Sequence, residues 1–575
     1  MLRKQTVLFT VLILLSLVMA SAPSGNARAY SNLEEGIVEA ARDQNDAYSF
    51  LADTNNYEPD NTSGQAKLIT SGTPQTRSIV PETDMDWIKF QLTTTSAVLL
   101  ETSGPFPSDT RISLYDGTLA PLEYHDDIDE NNFYSYIDRV CNTDPLPPGT
   151  YYVVVEEFGN DAEILSYNLA FDSSPCPAEL IDFYMGGTRK GSSLLTPQQS
   201  AQRSFPGVNS GPVKMVNTGP TSLMASERVI YKVNGVDTSL TEMMAMPNSQ
   251  LNTTYWLPWY NNVDLSTQLR FANVSAAPAT VNVTIGGQPM PGSPFSLAAG
   301  ASLRKSFPGV NNGPVRISSN VNIVAAERVI YKVNNVSTSF SEMMGLPNSQ
   351  LDTTYWLPWY NNVDLNTQLR IANITGAPVT VRVFIGGVEM TGSPFNLGAG
   401  ASTRKSFTGI NNGPVKIVSN QLIVAAERVI YQVNGVNTSF TEMMALPNSQ
   451  LNTAYWLPWY NNSGNLDTQL RIANVSGTPA TVQIFIGGIQ MTGSPFSLGP
   501  LVSTRKSFPG INNGPVKIVS TQPIVAAERL IYKVNNFPTS FSEMTGLPNH
   551  QLNLTHWLPW YNSVDLDSQL RFGLP

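Results

Sequence analysis

Apolar and polar residues alternate along most of this chain with the two-residue period of a β-strand. Val379, Val381, Val383 and Ile385 face one way and Thr380, Arg382 and Phe384 the other, before Gly386-Gly387 turns the chain. The same alternation runs through Trp87-Ile88-Lys89-Phe90-Gln91-Leu92, Arg111-Ile112-Ser113-Leu114-Tyr115 and Tyr167-Asn168-Leu169-Ala170-Phe171. Thr150 to Val155 is a β-branched and aromatic run behind Pro147-Pro148-Gly149. Asn411-Asn412-Gly413-Pro414 reads as a turn ahead of the strand Val415-Lys416-Ile417-Val418. Short period-2 segments between Gly/Pro turns predict β-sandwiches. Residues 30–52 alone look weakly helical, and that pattern breaks at Asp53-Thr54-Asn55-Asn56.

From about residue 178 one unit of about 100 residues is written four times. Glu-Arg, followed by Val or Leu and then Ile-Tyr, has its glutamate at Glu227, Glu327, Glu427 and Glu528. Trp-Leu-Pro-Trp-Tyr recurs in step from Trp256, Trp356, Trp456 and Trp557, and one extra residue falls in Asn462-Ser463-Gly464-Asn465. A fixed period marks an array of like modules. A unit this long buries its own core, unlike shorter solenoid repeats. The predicted organisation is a signal peptide over 1–29, an N-terminal segment over 30–52, a sandwich over 53–174, and repeats over 178–275, 276–375, 376–476 and 477–575. Each unit also carries Ser-x-x-Glu (Ser239–Glu242, Ser339–Glu342, Ser439–Glu442, Ser540–Glu543) just before Leu/Met-Pro. That spacing predicts a capping box on one short helical turn, stopped by the proline.

Composition narrows the function. Charged residues are 14% of the chain, the net charge is −10 and no basic cluster occurs, which argues against nucleic acid and anionic membrane surfaces. Arg3 and Lys4 precede an apolar run from Val7 to Met19, with small-residue cleavage sites after it, as in a secretory signal. No later segment reads as a transmembrane helix, so an exported protein, released or held non-covalently at the surface, is expected. In an oxidising compartment Cys141 and Cys176 read as a pair, worth roughly 3–4 kcal/mol by loop entropy. Two unpaired thiols are the other reading.

Glu58-Pro59-Asp60-Asn61, then Asp84-Met85-Asp86-Trp87-Ile88-Lys89-Phe90, Ile112-Ser113-Leu114-Tyr115-Asp116, Asp126-Asp127 and Pro148-Gly149-Thr150-Tyr151-Tyr152-Val153-Val154 follow one another in order. This pattern resembles the bacterial pre-peptidase C-terminal domain, a jelly-roll-like module of secreted proteases. It covers about 120 residues, with the last two residues of the family's usual Glu-Pro-Asn-Asp exchanged. The resemblance implies calcium at acidic loops. Glu58, Asp60, Asp84, Asp86, Asp126 and Asp127 are the candidate ligands, and calcium takes six to eight oxygens from such groups. Solvated acidic turns are the competing reading. The repeats resemble uncharacterised modules of secreted bacterial proteins and bring no activity with them.

Within the repeats, Glu427 shares a strand face with Ile423, Ala425, Val429 and Tyr431, and Arg428 shares the other with Val424, Ala426 and Ile430. Both faces are otherwise apolar, so the charges must be paired. Arg270, Arg370, Arg471 and Arg571, in Gln-Leu-Arg, are the expected partners of Glu227, Glu327, Glu427 and Glu528. Trp256, Trp259, Trp356, Trp359, Trp456 and Trp459 are either a stacking platform for sugars or core aromatics. Asn273-Val274-Ser275 and Asn373-Ile374-Thr375 match the glycosylation sequon, a pattern that Asn- and Thr-rich turns also produce by chance. Histidine occurs three times and does not recur, so no repeated relay or zinc site is expected.

Gln368 to Asn373 followed by Val379 to Ile385 reads as a hairpin, which would start the true module near Leu351. The first module would then lack its Trp-Leu-Pro-Trp-Tyr and Gln-Leu-Arg strands, and the last would consist only of them. Two readings stand. The modules keep the written register with the hairpin bridging neighbours, or the C-terminal strands complete the first module in the same or another molecule. The second route between molecules is head-to-tail self-association. The sequence thus predicts an all-β protein, a jelly-roll-like sandwich followed by a tandem array of four immunoglobulin-like sandwiches. The expected role is secreted, non-enzymatic surface or matrix adhesion, as a stalk or adhesive array meeting a surface glycan or protein. A carbohydrate-binding accessory of a degradative system is the alternative. A secreted hydrolase would need a catalytic constellation that the chain does not display.

Overall fold

The computed structural model describes residues 55–575, apart from 106–107, 130–131, 142, 234, 334–335 and 434. The signal peptide over 1–29 and the helical segment over 30–52 lie outside the described residues. In the rest, nearly all of the regular structure is strand. No helix among the described residues is long and apolar enough to cross a membrane.

Residues 67–175 form two packed sheets. One runs in the order Lys67–Leu68, Met85–Leu92, Gly149–Glu157, Thr110–Tyr115, Pro121–His125; the other Gln75–Ile79, Ile164–Pro175, Ser96–Ser103, Tyr136–Arg139. The alternation sets the faces: Ile88, Phe90 and Leu92 point into the core with Val98, Leu100, Leu114 and Val153. Trp87, on the outer face, stacks on Tyr115 at 5.7 Å. Cys141 and Cys176 form a disulfide beside the exit of this domain.

Three of the later sandwiches bend around one long strand, Val315–Val333, Val415–Val433 or Val516–Val534, whereas the first in the chain splits it into Val213–Asn217 and Met224–Val233. In Val315–Val333 the first residues pair with Asn252–Leu257 and Ala279–Ile285. The later residues pair with Ser266–Asn273 and Val336–Met344. One strand therefore passes from one sheet to the other. The Gly386-Gly387 turn has φ of +58° and +79°, and a Cβ at Gly386 would collide with Asn412.

Two local expectations are corrected. Asn366–Asn373 does not form a hairpin with Val379–Ile385. It pairs with Ser402–Lys405 and Val415–Val433, and the two strands lie in opposite halves of one sandwich. The connection Thr375-Gly376-Ala377-Pro378 crosses the sandwich instead of folding the chain back. Ser-x-x-Glu is no capping box either: Ser239 and Glu242 lie within the strand Val236–Met244. The helical turn comes after the proline, at Asn248–Gln250, with no side-chain cap.

Strand pairing also sets the modules. The bonded units are 252–347, 352–447 and 452–548, so the written divisions at 275, 375 and 476 fall inside sandwiches. The fourth unit joins the two ends of the array. Ser200–Arg203 and Met224–Val233 flank Asp567–Gly573, and Val213–Asn217 pairs with Thr555–Leu558. Phe183, Phe205 and Met215 share a core with Leu558, Tyr561, Leu570 and Phe572. Module I is therefore 179–247 plus 555–573, followed by modules II, III and IV. The strands that would drive head-to-tail association are paired within their own chain.

The array closes. Val236–Met244 packs beside both Val336–Met344 and Phe537–Thr545, and Val436–Met444 packs beside the same two. Four like contacts that return to their start make a cyclic, pseudo-fourfold ring.

Candidate functional site

The features that recur in sequence meet at the four interfaces of the ring. The innermost strands are stapled by one hydrogen bond each. The Glu342 amide donates to Thr241 Oγ1 (3.1 Å), Glu442 to Ser341 Oγ (2.8 Å), Glu543 to Thr441 Oγ1 (3.0 Å) and Glu242 to Ser542 Oγ (2.8 Å). The last of these joins residues 300 apart in sequence and closes the circle. Met244, Met344 and Met444 meet near the axis with Thr545, above a cavity of about 130 Å³ walled by the Leu/Met-Pro pair of every module.

Beside each staple lies a buried charge cluster. Arg228, Arg328, Arg428 and Arg529 each close on the glutamate of the neighbouring strand, Glu242, Glu342, Glu442 and Glu543, at 2.6 Å. These pairs sit inside one module. The Glu-Arg arginine thus closes on the Ser-x-x-Glu carboxylate. The Gln-Leu-Arg arginines act on Glu227, Glu327, Glu427 and Glu528, as the sequence suggested, but through charge at longer range and without a direct ion pair among the described residues. Glu227 instead faces the next module. Burial pushes its carboxyl up to about 8, Glu342 adds to the shift, and Arg328 and Arg270 oppose it. Glu327, Glu427 and Glu528 are held well above the usual range by burial and by Glu442, Glu543 and Glu242 in turn. At neutral pH the Glu227 carboxyl therefore keeps its proton.

Arg270, Arg370, Arg471 and Arg571 are buried in the same clusters, which lowers each to about 9, chiefly by desolvation. Each donates to the glutamine two residues earlier and covers a tryptophan of the preceding module. Arg270 lies over Trp560 (5.5 Å), Arg370 over Trp259 (4.9 Å), Arg471 over Trp359 (5.1 Å) and Arg571 over Trp459 (5.3 Å). A desolvated contact of this kind is worth about 2 kcal/mol. The first tryptophan of each run donates to the asparagine that ends its own module, Trp256 Nε1 to Asn348 Oδ1, Trp356 to Asn448, Trp456 to Asn549 and Trp557 to Asn248. Its ring reaches the next module: Trp256 packs against the module III core and Trp356 lies in that of module IV. The aromatic run is thus chiefly a staple between modules. Asn273 and Asn373 are fully buried and donate to backbone carbonyls across a turn, which gives these sequons a structural reason.

In the first domain the acidic candidates separate. Glu58, Asp60 and Asp86 converge. Arg77, fully buried, donates to Asp60 and, at 3.2 Å, to Asp86, while Tyr167 also donates to Asp86. Burial raises Asp60 to about 6 and Asp86 to about 7. A guanidinium already stands where a dication would, so this group does not fit calcium between Asp60 and Asp86. Asp126 and Asp127 lie elsewhere, near Asp109, Glu157 and Asp161. Sequence reasoning missed Arg77. The signal was its alternation with Ile79 in Gln75–Ile79, which sets both on the inward face.

No family model matches the chain, and no curated protein matches it. Among solved structures, the pre-peptidase C-terminal domain of collagenase from Bacillus anthracis is similar. It is 16% identical, covers 19% of this chain and 94% of that one, and has a TM-score of 0.16.

Proposed function

We propose that the protein is a secreted, non-enzymatic binding scaffold acting at a cell surface or in extracellular matrix. Four like modules, held in a closed ring, meet a repetitive surface at several points at once. The observation that carries this is the cyclic repetition, because equivalent loops recur around one axis. The loop after each Trp-Leu-Pro-Trp-Tyr ends in an exposed valine in three modules, Val263, Val363 and Val564, 59%, 59% and 58% exposed. Linked weak contacts multiply into strong retention without new chemistry. The recurrent glutamates support a scaffold over a hydrolase, since Glu227 is 3% exposed and its charge cluster is sealed between modules. The Cys141–Cys176 disulfide supports an oxidising compartment. Closure disfavours an extended stalk.

Retention of the full chain on envelopes of the producing cell and on matrix components is the test. Val263→Asp, Val363→Asp and Val564→Asp together should weaken retention at least tenfold with an unchanged melting curve. No retention of the parent on either surface would refute the reading.

A further inference from the structure

Three of the four interfaces are close copies. The fourth, where module IV meets module I, departs from the repeat at four places, and all four line one cavity of about 360 Å³. Arg304, Arg404 and Arg505 stand across the strand from Arg270, Arg370 and Arg471, but Gln202 stands across from Arg571. Phe340, Phe440 and Phe541 pack edge-on against Tyr231, Tyr331 and Tyr431, but Leu240 meets Tyr532. Asp237 occupies the place of Ser337, Asn437 and Pro538. The loop of module IV is one residue longer, with Gly464 at φ +58°, and Asn465 replaces Asp264, Asp364 and Asp565. Two large side chains are shortened and a loop is lengthened at one spot, and a cavity results.

We infer that this cavity binds a short neutral saccharide, one or two sugar rings, once per ring. The inference rests on the binding reading above and gives it a ligand class. Its volume lies within the range of about 300–1,000 Å³ usual for small-molecule sites. A sugar hydroxyl both donates and accepts, and so does a carboxamide. Gln202, Gln569, Asn461 and Asn465 line the cavity, with the Ser463 hydroxyl beside them. Leu240, Tyr532 and Trp459 supply an apolar wall for the C–H face of a ring. Arg571 is 3% exposed, and its Nε and Nη1 have no hydrogen-bond partner among the described residues, so the wall holds spare donors. An acidic sugar is disfavoured here relative to the other interfaces. Gln202 removes a cation, Asp237 adds an anion, and Arg228 is closed on Glu242.

Saturation-transfer NMR on the full chain, with maltose, cellobiose and N,N′-diacetylchitobiose as probes and glucuronic acid as the acidic control, tests this. One neutral disaccharide should bind with one equivalent per chain. Gln202→Arg with Leu240→Phe restores the residues with which the other interfaces fold. It should weaken binding at least tenfold without lowering the melting temperature. Asp237→Ser, at a half-buried position where module II already carries Ser337, should weaken it with an unchanged melting temperature. Unchanged binding in both variants, four equivalents per chain, preference for glucuronic acid, or no binding of any probe each overturns the inference. Retention on envelopes, measured on the same preparations, separates the two readings: retention without saccharide binding leaves the scaffold standing.

Discussion

Module I and module II have nearly the same strands but different covalent histories. Module II takes Asn252–Leu257 and Ser266–Asn273 from the chain directly ahead of its other strands. Module I takes the equivalent strands, Thr555–Leu558 and Asp567–Gly573, from the far end of the array. An open row of sandwiches would leave one module short and one strand pair bare, and a bare edge invites other chains. Joining the ends removes both faults and fixes the number of modules in the ring. It also concentrates change. The interface beside the closure carries the substitutions that the other three lack, so the module made from both ends is where one copy could diverge without disturbing the rest.

The comparison breaks most severely if module I loses its borrowed strands. Deleting Leu552–Pro575 removes Leu558, Tyr561, Leu570, Phe572 and Leu574 from one core, together with two of its strands, an expected loss on the order of a whole domain's stability, about 5–15 kcal/mol. A separate early melting transition and concentration-dependent oligomers in light scattering should follow. A truncated chain that stays monomeric and melts like the parent would mean that module I does not need these strands.

A smaller effect is expected within one interface. Glu442→Ala leaves Arg428 buried without its 2.6 Å partner, at a cost of about 3–5 kcal/mol. In a ring the loss should spread to modules II and IV. Calorimetry resolving a single destabilised module would show that the interfaces are independent.

The raised glutamates make the ring pH-sensitive. Glu227 keeps its proton to about 8 when folded, whereas an unfolded glutamate ionises near 4.5. The unfolded state therefore binds fewer protons between these values, and stability falls as pH rises through that window. Asp60 and Asp86 act in the same direction in the first domain, to about 6 and 7. His556, lowered to about 4 by burial, opposes them only below its ordinary range. Melting temperature should decline from about pH 5 to about pH 8, and Glu227→Gln should flatten part of that slope. A melting temperature that rises across the window would contradict the protonated state.

The smallest effect sharpens the contrast between interfaces. Leu240→Phe gives Tyr532 the aromatic partner that Tyr231 has in Phe340, a gain of about 0.5–1.5 kcal/mol. Destabilisation would mean that the interface beside the closure is shaped differently from its sisters.

Much of this was legible in the sequence, because period and alternation are local signals. The strand carrying Glu427 and Arg428 is buried on both faces, as its two apolar sides required. The incomplete first module was one of two readings that the sequence left open, and it was reached through a hairpin that does not form. Which carboxylate meets which arginine was not legible. Arg428 and Glu442 lie 14 residues apart across a strand pair whose register shifts between Tyr431 and Gln432. Ser-x-x-Glu has the spacing of a helix cap but sits on a strand, where the packed neighbours and not the local motif decided its structure. Closure itself leaves no trace in composition, since a filament and a ring would bury the same residues.

That choice can be measured directly. A Cβ placed on Gly573 lies 3.4 Å from the Ser200 Cβ, close to the separation in a disulfide. With Ser200→Cys and Gly573→Cys in one chain, mild oxidation should give a single cross-linked monomer of raised mobility on a denaturing gel, independent of protein concentration. Cross-linked dimers and ladders that grow with concentration, or two thiols that never join, would contradict the closed ring.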